Sequence, residues 1–166
     1  YNIVRIIKGK TFPADTADDN QYTRGAGLLE AWIGEGALKL DAACAIYGYV
    51  QDFSIGSNCF QRSGFVCLAR LEEFGGGVRP HEKTLDGPKA DRLNLMRATA
   101  AQFGQIFMLY DDPEKIADGV IAKAAKGGAL IDFTDDNDVR HRLFAIDGTD
   151  DIEAVVKMMG DRQGVI

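Results

Sequence analysis

The spacing of apolar positions changes several times along the chain, and each change marks a predicted element. Residues 2–8 alternate and predict a strand. Residues 9–18 are polar, with Pro13 and several aspartates, and predict a loop. From about Asp19 to Gly34 the period becomes helical, with Tyr22, Ala26, Leu29 and Ile33 on one face and Trp32 beside them. Residues 44–55 and 59–71 are rich in strand formers and are separated by Gly56-Ser57-Asn58, a hairpin signature. Tyr47, Tyr49 and Phe53 are two or four apart and so share one face of that hairpin. Gly75-Gly76-Gly77 then interrupts the pattern.

The second half reads the same way. Pro88 predicts the first position of a helix capped by Asp86 or Gly87, with Leu93, Met96, Ala100 and Phe103 facing the core. Residues 105–110 predict a short buried strand. Asp112-Pro113 predicts another helix start, lined by Ile116, Val120 and Ala124 and ended by Gly127. Residues 129–133 and 139–146 predict two strands joined by a turn over Thr134 to Asn137. Asp150 and Glu153 stand three apart in capping-box fashion before a last helix, whose expected core face is Ile152, Val155, Val156 and Met159. Hairpins mixed with about four helices predict an α+β fold with a mixed β-sheet rather than a doubly wound parallel one.

Composition narrows the function. A length of 166 residues is enough for one α/β domain with a real core, and this reading takes 1–166 as one. The chain opens at Tyr1 in strand-like text and stops at Gly164-Val165-Ile166 in similar text, so a fragment of a longer protein is expected. The net charge of −6 argues against nucleic acid and acidic membrane surfaces as partners. Cys44, Cys59 and Cys67 are odd in number and form no C-x-x-C pair, so neither a disulfide framework nor a zinc site is expected. Their apolar neighbours suggest core positions in a reduced, cytoplasmic protein.

Common chemical motifs are missing. The chain has no Rossmann glycine fingerprint, no P-loop and no G-x-S-x-G elbow. Two histidines are too few for a histidine-rich metal site, and no metal is expected. Asp111-Asp112, Asp135-Asp136 and Asp150-Asp151 fall at turns and helix starts, where capping explains them.

The stretch Arg79 to Arg92 differs. Glu82 and His81 can take a proton, Thr84 can donate a hydrogen bond, and Arg79, Lys83, Lys89 and Arg92 can hold an anion. All lead into a predicted helix N-terminus, whose free N–H groups and dipole favour negative charge. Lys89 and Arg92 would then sit in a first turn that prefers acids, so either Asp86 and Asp91 compensate them or a bound anion does. The alternative is a solvated polar loop with local ion pairs. A second cluster is Arg140-His141-Arg142, where alternation sends the two arginines one way and His141 the other. Its plainer reading is an edge strand protected by charge. Arg62 is a lone charge in apolar strand text and needs a partner.

These residues carry a resemblance. Leu29-Glu30-Ala31-Trp32-Ile33-Gly34-Glu35-Gly36, Ile46-Tyr47-Gly48-Tyr49, Arg62-Ser63-Gly64-Phe65, Pro80-His81-Glu82-Lys83-Thr84, Asp91-Arg92-Leu93, Ile106 to Asp111 and His141-Arg142-Leu143-Phe144 resemble the prokaryotic family called domain of unknown function 1015. That family continues past this chain into a D-G-H-H-R motif. The pairing of a P-H-E loop with that motif resembles, more distantly, the ParB-like nucleotidases and free-serine kinases.

The distant resemblance implies a nucleotide-dependent phosphotransferase acting on a serine-like hydroxyl. Glu82 would be the catalytic base, with His81, Lys83 and Thr84 around the substrate, and ATP or ADP with Mg fits the full-length parent. Such catalysis is largely positioning and charge stabilisation, which suits a basic loop at a helix start. The alternatives are a non-catalytic nucleotide or phosphometabolite-binding module using the same loop, and a structural module. The expected partner in the first two is a small molecule or nucleotide.

Overall fold

The computed structural model describes residues 1–73, 75–80, 85–160 and 162–166. Their elements run α1 (Val4–Ile7), α2 (Gln21–Gly34), β1 (Ile46–Ile55), β2 (Asn58–Val66), β3 (Val78–Arg79), α3 (Asp86–Thr99), α4 (Ile116–Ala125), β4 (Ile131–Thr134), β5 (Arg140–Ile146), α5 (Thr149–Gly160) and β6 (Gly164–Val165). The fold is α+β. The chain forms two compact units, one of Tyr1–Asp41 with Glu82–Ile106 and one of Ala42–His81 with Phe107–Ile166.

The first unit is helical. The strand expected over residues 2–8 is instead the single turn α1, because the apolar positions 3, 4, 6 and 7 suit a helical turn as well as a strand, and the Asn2 side chain accepts the Val4 N–H at 3.0 Å. Ile6 is fully buried there, with Trp32 of α2 and Leu95 of α3 in the same cluster. Gly25 allows the approach: a Cβ at this position would lie 3.3 Å from the Ile6 carbonyl oxygen. The start of α2 is a capping box, in which Asn20 accepts the Tyr22 and Thr23 N–H groups and Thr23 accepts the Asn20 N–H. The buried stripe of α2 passes through Gly25 and Trp32, leaving Ile33 exposed, contrary to expectation. In α3 the buried residue is Leu95, while Leu93 and Met96 are exposed. Pro88 is the third residue of α3, not the first, and Leu85 rather than Asp86 or Gly87 is the N-cap residue. Proline is tolerated there because the first four N–H groups of a helix have no intrahelical partner. Ala100, expected on the core face, is the left-handed residue that closes α3, with φ 50°.

The second unit is an antiparallel sheet in the order β2-β1-β5-β4, with α4 and α5 on one face. The hairpin β1–β2 pairs Ile55 with Asn58 around Gly56-Ser57, with Gly56 at φ +61°. That is the first-position glycine of a tight hairpin turn. Ile46, Val50, Phe144 and Ile146 face Ala117, Val120, Ile121, Val155 and Met158. The Asp112 carboxylate accepts the Ile116 and Ala117 N–H groups at 2.9 and 2.8 Å and so caps α4. In α5 the buried pair is Val155 and Met158, whereas Val156 is 62% exposed. The strand expected over 105–110 reduces to one bridge between Leu109 and Val165, and Ile106, Phe107 and Leu109 are exposed. An apolar run becomes a strand only where a neighbouring ladder accepts its backbone groups. β3 and β6 pair in parallel as a separate two-stranded sheet.

All three cysteines are free, but all are exposed, which corrects their expected core role. Among the described residues, no helix is long and apolar enough to cross a membrane.

Candidate functional site

Four of the residues singled out by the sequence, His81, Glu82, Lys83 and Thr84, lie outside the described residues. Arg79 is exposed on β3, where its carbonyl oxygen accepts the Ile166 N–H at 3.1 Å. It belongs to the second unit, Lys89 and Arg92 to the first.

Since α3 begins at Asp86, Lys89 is its fourth residue and Arg92 its seventh, each two residues deeper than expected. Residues 86, 89 and 92 stand three apart and share a stripe. Lys89 Nζ lies 3.0 Å from Asp86 Oδ1 in a solvent-exposed ion pair. Asp91 is engaged elsewhere, accepting the Tyr22 O–H at 2.9 Å. Arg92 is exposed and has no ion-pair partner among the described residues. A shallow depression of about 280 Å³ lies between α2 and α3, but among the described residues Glu30 is the only titratable one in its lining.

The second cluster has defined geometry. Arg140 donates to both oxygens of Asp132, at 2.8 and 2.7 Å. Arg142 donates to Asp52 at 2.6 Å. Both carboxyls are held below their ordinary range, Asp132 chiefly by Arg140 and Asp52 chiefly by a hydrogen bond from Gln61, then by Arg142. These bonds fasten neighbouring strands to one another. The plainer reading expected an edge strand protected by charge, but β5 lies between β1 and β4 and is not an edge. His141 faces the other way, as alternation predicts, and its ring stacks on Phe133 with centroids 4.9 Å apart. The Tyr49 hydroxyl lies 2.6 Å from its Nδ1, and Asp135 Oδ2 lies 3.2 Å from its Nε2. The Asp135 carboxyl is held low by the backbone N–H groups of Val139 and Asn137 and by His141.

Arg62 also acquires its partner. It donates from Nε and Nη2 to the Gln51 side-chain oxygen at 2.9 and 2.6 Å. Its guanidinium lies over the Phe53 and Phe107 rings, 5.7 and 5.5 Å from their centroids. The register makes this one rung across four strands: Arg62 opposite Gln51, Gln51 opposite His141, His141 opposite Phe133. Gln51 escapes the sequence reading, in which Asp135 is only a turn residue, without its contact to His141. Counting back from the Gly56-Ser57 turn would have found Gln51, whereas Asp135 reaches His141 from the turn between β4 and β5.

The family described as Protein of unknown function (DUF1015) matches residues 1–166. The chain belongs to the DUF1015 family. No curated protein and no solved structure matches it. In this DUF1015 chain, three of the segments that carried the resemblance fall on adjacent strands: Ile46–Tyr49 opens β1, Arg62–Phe65 lies in β2 and His141–Phe144 in β5. Asp91-Arg92-Leu93 lies in α3.

Proposed function

We propose that this DUF1015 protein binds a phosphorylated small molecule of the nucleotide class near the start of α3, with Arg92 and Lys89 as anion-holding residues. The observation that carries this reading is that the exposed Arg92 has no ion-pair partner among the described residues. Of the two local acids able to compensate it, Asp86 lies against Lys89 and Asp91 accepts from Tyr22. An exposed guanidinium on a helix stripe with Lys89 suits a phosphate, which it can hold by charge-assisted hydrogen bonds. Lys83 and Thr84, which precede this helix in the sequence, complete the proposed ligand-binding set. In the whole protein, Glu82 would take the proton of a serine-like hydroxyl as it attacks the terminal phosphoryl group of ATP or ADP, with ADP or AMP leaving and Mg neutralising the phosphate charge. The distant likeness to free-serine kinases supports that further step, and the three free thiols suit a reducing cytoplasm.

Calorimetric titration of the whole protein with ATP, ADP and phosphoserine tests the binding. Arg92→Ala is expected to weaken the phosphorylated ligand by roughly 1.5–3 kcal/mol. Unchanged affinity would return Arg92 to the role of a solvated surface charge. Glu82→Gln separates catalysis from binding: lost turnover with affinity kept within a few fold identifies the base, and full turnover excludes it.

A further inference from the structure

The two faces of the four-stranded sheet treat their arginines differently. On the face covered by α4 and α5, Arg140 and Arg142 each meet an aspartate. On the opposite face, Arg62 meets the neutral side chain of Gln51. The strand residues of that face are otherwise aromatic, aliphatic or uncharged polar, so Arg62 is their one fixed charge. Gln51 fixes the orientation of the guanidinium without cancelling its charge. Nη1 has no hydrogen-bond partner among the described residues, and Arg62 is exposed. A cation held this way, on a protein of net charge −6, is arranged to meet an anion.

The surroundings specify the remainder of the ligand. Phe53 and Phe60 stack on each other with centroids 5.8 Å apart beside Arg62, and Phe60 and Phe133 are about half exposed, at 46% and 52%. His141 lies one position along the rung from Gln51, with both ring nitrogens engaged. An organic anion with a flat apolar body can place its charge on Arg62 and its body on these rings, uniting charge-assisted hydrogen bonds with apolar contact. We infer that the outer face around Arg62, Gln51 and Phe60 is a binding site for a small aromatic carboxylate or phosphate. This site uses none of the α3 residues and stands independently of the phosphorylated-ligand reading.

The test titrates the 166-residue chain with phenyl phosphate and with benzoate, following backbone amide shifts and the Arg62 Nε–H resonance. Inorganic phosphate and phenol serve as controls. Saturable millimolar binding of either aromatic anion, with shifts confined to the four strands β1, β2, β4 and β5, is expected; the better ligand distinguishes phosphate from carboxylate. Arg62→Met keeps an apolar stem and should weaken binding about tenfold or more. Gln51→Glu is nearly isosteric and keeps Arg62 in place but neutralises it, so it should weaken binding comparably. The site is overturned if neither aromatic anion saturates, if inorganic phosphate binds as tightly as phenyl phosphate, or if a folded Arg62→Met or Gln51→Glu protein, checked by circular dichroism, binds as the parent does.

Discussion

The Tyr49 hydroxyl lies 2.6 Å from Nδ1 of His141, joining β1 to β5 through side chains as well as through the ladder. The second ring nitrogen, Nε2, lies 3.2 Å from Asp135. Two backbone N–H groups hold the Asp135 carboxyl low, so at neutral pH it is an ionised acceptor. In the neutral ring, Nε2 therefore carries the hydrogen, and Nδ1 accepts the Tyr49 O–H.

Tyr49→Phe removes that donor and leaves Nδ1 with only the weaker contact to Gln51 at 3.4 Å. Stability should fall by about 1 kcal/mol, measured by denaturant unfolding. Nitrogen-15 correlation spectra of the neutral ring should report the Nε2–H tautomer in the parent protein. Dominance of the Nδ1–H form would mean that Tyr49 does not donate to this ring.

Acid should weaken the sheet end that carries Asp52, Asp132 and Asp135. All three carboxyls are lowered in the fold: Asp52 by Gln61 and Arg142, Asp132 by Arg140, Asp135 by backbone N–H groups. A carboxyl whose folded pKa lies below its unfolded value contributes stability that is present above the unfolded value, about pH 4, and lost as pH falls through the folded one. The thermal midpoint should decline below about pH 4, and less steeply in Asp135→Asn than in the parent. Identical acid slopes would show that Asp135 makes no linked contribution.

Gly48 should not tolerate a larger side chain. A Cβ at that position would lie 3.1 and 3.2 Å from two side-chain carbons of Ile121, where α4 rests on the sheet. Gly48→Ala should destabilise the second unit by about 1–3 kcal/mol through overpacking. Combining it with Ile121→Val should recover part of the loss, since the two changes share one contact. Full stability of the single variant would mean that α4 shifts freely over β1.

The cap of α2 gives an independent check in the first unit. Asn20→Ala removes the acceptor of the Tyr22 and Thr23 N–H groups. A loss of about 1 kcal/mol is expected on unfolding. No loss would show that water replaces the cap at no cost.

Features that depend on neighbours in sequence were legible. The Gly56-Ser57 turn and strand alternation specify the β1–β2 hairpin and place Tyr49 and Phe53 on one face. Asp112-Pro113 signalled a helix nearby, but α4 starts three residues after Pro113, at Ile116 with Lys115 as its N-cap residue, and the Asp112 carboxylate accepts its first two N–H groups. Alternation also separated His141 from Arg140 and Arg142. Tertiary structure decided the rest. An apolar stripe states that a helix has a buried side, but its neighbour selects the residues, so α3 buries Leu95 rather than Leu93 and Met96. The apolar runs at 2–8 and 105–110 hold no information about a partner strand: one became a turn of helix, the other an exposed segment with a single bridge. Arg62 announced its need for a partner, yet only the register of β1 against β2 supplied Gln51. Only the turn between β4 and β5 brought Asp135 to His141, because hydrogen bonds act over about 3 Å and sequence separation does not measure that distance.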